Sequence, residues 1–290
     1  MTSTPAYSSI DRNLFVALRD AFPADLDGVA IETDTGLCYS WRDLDRATAM
    51  MANLLGRLDL PPASRIAVQV EKSVEAAMLY LATLRAGHVF LPLNTAYQSA
   101  EMAYFIGNAE PAVVVCSSRN FGWVSQLAFT AGTGHVFTLN DDRTGSLLQR
   151  ASACSDRHTA VSRRGTDLAA IVYTSGTTGR SKGAMLSHAN LLSNAQVLQQ
   201  AWGWRTPQQG GDVLIHALPI FHVHGLFVAL HGAMINGSTM LWQSRFDPAW
   251  VVRNLPRASV FMGVPTMYVR MLADPDLCPE QCAAMRLFVS

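Results

Sequence analysis

The sequence predicts an α/β fold in which strands alternate with helices, and three features carry that expectation. Short apolar runs at 66–70, 89–93, 112–116 and 136–139 alternate with helix-length stretches at 74–86, 99–105 and 123–129, the order of βαβ units. The runs at 89–93 and 112–116 are continuously apolar and the other two nearly so, without the in–out alternation of a half-exposed strand, so both faces of the sheet are expected to be covered. The third feature is a loop of glycines and hydroxyl residues that follows directly on the apolar run 168–172 and precedes a helix signal at 187–192. A flexible linker of similar composition has no such strand and helix around it.

From the N-terminus, Asp11 is a candidate cap for a helix whose apolar positions Leu14, Phe15, Leu18 and Phe22 repeat at helical spacing and which Pro23 ends. Residues 29–32 and 37–40 flank Thr33-Asp34-Thr35-Gly36 and read as a β-hairpin. Ser40 then caps a long amphipathic helix with Leu44, Ala47, Met51, Leu54, Leu55 and Leu58 on its buried stripe. In the βαβ region Gly87 stops the helix 74–86 and Ser99 caps the next one. Polar residues 149–167 lead into the loop. Beyond it a helix at 188–201, a strand at 213–217, a helix to about 235, an Asn236-Gly237 turn and a strand at 239–242 are expected. A helix opened by Phe246-Asp247-Pro248 and a strand at 259–262 follow. The last residues, Leu287-Phe288-Val289-Ser290, form an apolar strand with no turn or cap after it and read as a truncation.

With 49% hydrophobic content in 290 residues the chain can bury a large core, as one large domain or two smaller ones. Lysine plus arginine equals aspartate plus glutamate at 22 each, and no basic block stands out, so neither nucleic acid nor an anionic membrane surface is an expected partner. The N-terminus lacks a positive leader, and the longest apolar run, near 226–235, is interrupted by His231 and too short to span a bilayer. A cytoplasmic protein is expected. Five cysteines at scattered positions, Cys38, Cys116, Cys154, Cys278 and Cys282, several in apolar runs, read as buried free thiols in a reducing compartment, with Cys278 and Cys282 at helical spacing in the core.

The loop carries the chemistry. Tyr173-Thr174-Ser175-Gly176-Thr177-Thr178-Gly179-Arg180-Ser181-Lys182-Gly183 combines glycines that let N–H groups turn inward, hydroxyls that add donors and one mobile cation at Lys182. That set suits a polyphosphate. Its spacing is not that of a Walker A loop, because Gly176 and Gly179 are too close together and no glycine directly precedes Lys182. Thr174 to Gly179 followed by Lys182-Gly183 closely resembles the phosphate-binding signature of the adenylate-forming enzymes, which include acyl-CoA synthetases, luciferases and peptide-synthetase adenylation domains. Many members have proline where this chain has Ser181, a change that bears on loop stiffness more than on chemistry. Tyr39-Ser40-Trp41-Arg42-Asp43-Leu44 is similar to a segment near the start of many acyl-CoA synthetases, and residues 86–94 resemble a structural landmark of the family.

The resemblance implies the N-terminal part of the family's large AMP-binding domain, with layered sheets flanked by helices. Sub-blocks at about 1–150 and 167–290 would be joined by the polar stretch 151–166. It also implies ATP and CoA as co-substrates, Mg²⁺ arriving with ATP, no protein metal cage, and a small-molecule carboxylate activated as an acyl-adenylate and then as a CoA thioester. The implied phosphate contacts are Thr174, Ser175, Gly176, Thr177, Thr178, Gly179 and Lys182, with Lys182 catalytic.

On an extended segment His222 and His224 face one side, so the residues alone leave metal ligation and a packed or capping histidine both open. Leu218-Pro219-x-Phe221-His222-x-x-Gly225 is similar to the family segment whose histidine lines the acyl pocket and the CoA route, which implies a catalytic-side role for His222 and, less directly, for His224. Together with Gly263-Val264-Pro265-Thr266-Met267-Tyr268 it looks most like malonyl-CoA synthetases. The implied acyl pocket contains His222, His224, Gly263, Val264 and Thr266, and the implied substrate is malonate or methylmalonate. His216 and His231 are expected to be structural. A medium-chain or aryl acyl-CoA ligase, an amino-acid adenylation domain and a non-catalytic nucleotide-binding module are the other readings. The family's later motifs, including the mobile C-terminal domain with its lysine, are not among these residues, so residues 1–290 alone are expected not to make acyl-CoA. Oligomeric state is not legible.

Overall fold

The computed structural model describes residues 11–174 and 181–290. The signature positions Ser175, Gly176, Thr177, Thr178 and Gly179 lie outside the described residues. In chain order the first elements are α1 (Leu14–Asp20), β1 (Val29–Thr33), β2 (Cys38–Ser40), α2 (Trp41–Gly56), β3 (Arg65–Gln69), α3 (Val74–Arg85) and β4 (Val89–Pro92). They are followed by α4 (Ser99–Ala109), β5 (Val113–Cys116), α5 (Phe121–Thr130), β6 (His135–Thr138), α6 (Ser146–Ala151), β7 (Leu168–Thr174) and β8 (Lys182–Ser187). The remainder comprises α7 (His188–Ala201), β9 (Val213–His216), α8 (His231–Ile235), β10 (Thr239–Trp242), α9 (Pro248–Asn254), β11 (Val260–Met262), α10 (Pro265–Leu272) and β12 (Leu287–Val289). The α/β expectation holds, with two parallel-rich sheets flanked by helices.

The chain divides into two compact units, Met1–Ala17 with Arg46–Ser193 and Leu18–Asp45 with Asn194–Ser290. The polar stretch 151–166 lies inside the first unit, where backbone and guanidinium bonds tie it down. Val161 N–H donates to the Arg85 carbonyl at 2.9 Å, Arg85 Nη2 to the His158 carbonyl at 2.6 Å, and Arg163 Nη2 to the Gly87 carbonyl at 2.6 Å.

The sheet of the first unit has the order β6-β5-β3-β4-β7-β8, with every pairing parallel except the antiparallel β7–β8 hairpin. β4 and β5 are buried at every position, as their unbroken apolar runs require. Helix α3 is buried along its whole length and is capped by Ser73, whose Oγ accepts the Ala76 N–H at 3.1 Å. Arg85 at its end is tolerated inside because Nη1 meets Thr48 Oγ1 at 3.0 Å and the guanidinium lies 4.8 Å over the Phe15 ring. α4 and α5 cover one face through a core that includes Leu91, Leu93, Met102, Phe105, Ile106, Val114 and Val124. Each such side chain contributes about 1.5–3 kcal/mol when fully buried.

Two expected caps move by one or two residues. α4 starts at Ser99 itself, and its cap position is Gln98, whose backbone N–H is taken by Glu101 Oε2 at 2.9 Å. At α1 the cap is Asn13, which accepts the Phe15 N–H at 2.9 Å, while Asp11 accepts from Gly165 N–H at 2.7 Å.

The second unit carries the order β12-β11-β9-β10-β1-β2, parallel apart from the expected β1–β2 hairpin. Ile215, Leu241, Val251, Val252 and Phe261 centre its core. Asp212, fully buried, forms an ion pair with Arg286 and also accepts from Ser259 Oγ at 2.7 Å and Arg205 N–H at 2.6 Å. Burial pushes the Asp212 pKa up, but these donors outweigh it and hold it below the usual carboxylate value. Cys278 and Cys282 do not share a core helix: Cys278 precedes a 3₁₀ turn at Pro279–Cys282 and both are half-buried. Cys116 and Cys154 are buried, whereas Cys38 is exposed. Among the described residues no helix is long and apolar enough to cross a membrane.

Candidate functional site

In the first unit the signature segment leaves the carboxyl end of β7, the end at which ligands collect in parallel α/β sheets. Thr174 and Lys182 are register partners across the β7–β8 hairpin, and both are exposed. The described part of the phosphate signature therefore presents a hydroxyl and an ammonium side by side at the hairpin mouth. Beneath it lies an aromatic cluster. The Tyr173 ring centroid is 4.5 Å from that of Phe105, Tyr104 is 5.4 Å from Phe105, and Tyr97 packs at 4.8 Å on the other side. Tyr104 Oη donates to the Ser181 carbonyl at 2.7 Å, and Tyr173 Oη donates to Asn108 Oδ1 at 2.5 Å. Burial, with Tyr104 adding to it, raises the Tyr173 pKa, so its hydroxyl stays protonated and able to donate.

In the second unit the register aligns His216 of β9 with Trp242 of β10 and Met262 of β11. The segments after β9 and β11 therefore leave the same carboxyl edge from adjacent strands. One carries His222 and His224, the other Gly263, Val264 and Thr266. Gly263 is buried, and a Cβ there would come within 3.0 Å of the Phe261 ring and 3.3 Å of the Tyr268 ring. Val264 and Thr266 are exposed, Thr266 within the first turn of α10.

The segment around the two histidines is not extended. The His222 carbonyl accepts the Leu226 N–H at 3.0 Å, and a π-type helical stretch runs from His224 to Leu230 into α8. On a helical turn residues two apart diverge, so the shared face expected for His222 and His224 is lost. The turn passes through a close backbone crossing that only glycine permits at Gly225, where a Cβ would lie 2.1 Å from the Pro219 carbonyl oxygen. His222 is exposed and its ring packs at 4.5 Å on Phe221, while His224 is half-buried. Partial desolvation lowers the pKa of both imidazoles, which favours their neutral form near pH 7.

The other two histidines of this region sit in the core. His216 stacks on Trp242 at 4.5 Å and donates from Nε2 to the Gly225 carbonyl at 2.9 Å. His231 is fully buried and its pKa is pushed down to about 3. Among the described residues no group of three or more His, Cys, Asp or Glu side chains is placed to hold a metal ion. The residues that sequence reasoning passed over are Tyr104 and Asn108. Their only local signal is a spacing of four on α4, which puts them on one helix face.

The Thr174 to Gly183 segment that resembles the adenylate-forming signature follows the end of a strand in a parallel-rich α/β sheet, the class of enzyme domain that comparison with known proteins supports. The chain matches the AMP-binding enzyme family over residues 21–290 and belongs to that family. Among solved structures it is similar to apo MatB from Rhodopseudomonas palustris, with a TM-score of 0.91 and 47% identity over 96% of this chain and 54% of that one. A malonate–CoA ligase of Arabidopsis thaliana is 26% identical over 301 residues, covering 93% of this chain and 49% of the relative. The mitochondrial malonate–CoA ligase ACSF3 of Homo sapiens is 30% identical over 202 residues, covering 67% of this chain and 33% of the relative. The chain spans about half the length of the curated relatives that match most of it.

Proposed function

We propose that the whole protein is an ATP-dependent acyl-CoA ligase that activates a small carboxylic acid, malonate or methylmalonate. The observation that carries this reading is the 47% identity to MatB across 96% of the chain, joined by malonate–CoA ligases among the relatives. A carboxylate oxygen attacks the α-phosphorus of ATP, the bond to the bridging oxygen breaks, and pyrophosphate leaves. The sulfur of CoA then attacks the acyl carbon of the mixed anhydride and AMP departs. Chemistry of this kind rests on in-line positioning and charge compensation. Lys182 meets the β- and γ-phosphates and follows the charge onto pyrophosphate, with Thr174 and the loop positions Ser175 to Gly179 adding donors. Mg²⁺ bound to ATP would offset phosphate charge, with Lys182 supplying the protein's own cation beside it.

His222, His224, Gly263, Val264 and Thr266 form the acyl side. A neutral His222 can give one N–H to the free carboxylate of a dicarboxylic acid, and that carboxylate in turn raises the imidazole pKa. Pyrophosphate release by the whole protein, measured across malonate, methylmalonate, medium-chain acids, aromatic acids and amino acids, tests the proposal. The highest kcat/KM is expected for malonate or methylmalonate. Preference for an aromatic or medium-chain acid would move the substrate assignment, and no release with any acid would leave a nucleotide-binding module.

A further inference from the structure

Both ends of the phosphate loop are tied to one helix, and this depends on two phenols. Tyr104 on α4 donates to the Ser181 carbonyl at 2.7 Å, directly before Lys182. Tyr173, directly before Thr174, donates to Asn108 Oδ1 one turn further along the same helix at 2.5 Å. The rings between these bonds are packed, Tyr173 against Phe105 at 4.5 Å and Tyr104 against Phe105 at 5.4 Å. Gly183 lies across the ladder from Tyr173, and a Cβ there would come 3.0 Å from Ile171 and 3.5 Å from the Tyr173 ring. The start of β8 therefore lies flat on the aromatic cluster. Elsewhere β8 is held, among the described residues, by its ladder to β7 alone: its residues Lys182 to Met185 are exposed, and it is the edge strand of its sheet.

We infer that Tyr104 is a positioning residue for Lys182, fixing through the Ser181 carbonyl where the lysine backbone begins and hence where its ammonium can meet a polyphosphate. The inference rests on the phosphate-loop reading above and deepens it. Ser181 lacks the fixed φ that a proline would impose at this point. With serine there, a bond from outside the loop sets the position of the peptide joined to Lys182. Nothing in this assignment touches the acyl side, because the bonds and rings involved all belong to the first unit.

The test is Tyr104→Phe in the whole protein, which keeps the ring and removes the donor. Loss of one neutral hydrogen bond that orients Lys182 is expected to raise the KM for ATP and weaken inorganic pyrophosphate binding by about fivefold. Thioester formation from a supplied acyl-adenylate, which involves no pyrophosphate, is expected to stay within about twofold of wild type. In a Lys182→Ala background the same substitution should change adenylation by less than about twofold, because the residue it positions is gone. A merely structural tyrosine would instead lower the melting temperature and slow both half-reactions in either background. Unchanged ATP KM and pyrophosphate binding in Tyr104→Phe, or equal losses in both half-reactions, would overturn the inference. If Lys182→Ala slows adenylation and Tyr104→Phe does not, the phosphate-loop reading survives and only the positioning role falls. If Lys182→Ala itself leaves adenylation intact, the phosphate reading falls and this inference with it.

Discussion

Gly225→Ala adds one methyl group at the point where the histidine-bearing segment crosses itself. The new Cβ would sit 2.1 Å from the Pro219 carbonyl oxygen, 2.9 Å from its carbon and 3.2 Å from Leu218 Cβ. Real Cβ contacts do not fall below 3.0 Å, so about 0.9 Å of separation has to be opened between two backbones in a packed interior. Neither partner is the flexible tip of a side chain, and the movement cannot be absorbed by a rotamer change. Overpacking of this kind costs about 1–3 kcal/mol. The Gly225 carbonyl also takes the His216 Nε2–H at 2.9 Å, and disturbing that buried bond adds about 1 kcal/mol. A total of about 2–4 kcal/mol corresponds to a fall of roughly 3–7 °C in Tm for a protein of this size. The same displacement moves His222, whose carbonyl holds the Leu226 N–H at 3.0 Å, so carboxylate KM should rise more than ATP KM. Thermal unfolding followed by circular dichroism, with carboxylate and ATP titrations on the same sample, measures both effects. A Tm within about 2 °C of wild type together with an unchanged carboxylate preference would refute the close-crossing argument.

Other perturbations separate the phosphate assignment from the acyl assignment. Lys182→Ala is expected to slow adenylation by about a hundredfold while leaving thioester formation from a supplied acyl-adenylate nearly unchanged; equal losses in both half-reactions would remove the pyrophosphate role. His222→Ala should lower kcat/KM for malonate by about tenfold and move ATP KM by less than about twofold, and an unchanged carboxylate profile would return His222 to a packing role. Stability should fall on mild acidification, because burial pushes His88 and His188 down to about 4 and His231 down to about 3, from an ordinary value of 6.5. These rings stay neutral in the fold while the unfolded chain takes up protons below about pH 6.5, so stability is full above that pH and declines toward pH 4, by up to about 2 kcal/mol per histidine at pH 5. A urea midpoint that is the same at pH 7.5 and pH 5 would contradict it. Asp212 does not confuse the measurement, since its lowered pKa releases stability only below about pH 4.

The sequence made visible what local chemistry determines. Helices α3 and α7 lie within a residue or so of their expected bounds, because Ser73, Gly87 and the Ser187-His188 junction punctuate them and the apolar spacing between is unambiguous. The strand order of each sheet was not legible. Pairings such as β1 with β10 join residues about 210 apart, and continuous apolar runs carry no register. Cap choice failed where two candidates adjoin, at Gln98 and Ser99, since only the position of Glu101 decides between them.

The candidate site divides along the same line. The loop residues Thr174 to Lys182 suit a polyphosphate by composition, and their resemblance to the adenylate-forming signature proposes the contacts, because backbone donors, hydroxyls and a lysine lie close together in the chain. The parts that hold the chemistry in place are distant in sequence: Tyr104 reaches Ser181 across 77 positions and Tyr173 reaches Asn108 across 65. A tyrosine on a helix face carries no local mark of such a bond, and in α4 its aromatic ring already has a sufficient role in the core. His222 and His224 show the converse. Their spacing points to one shared face, yet the chain there turns helically through a crossing of Gly225 on the Pro219 carbonyl that the spacing does not reveal. For this domain, side chains that would touch substrate are marked by motif, whereas side chains that would aim them are marked only by tertiary contact. Substitutions of the second kind should therefore alter KM and half-reaction ratios before they abolish turnover.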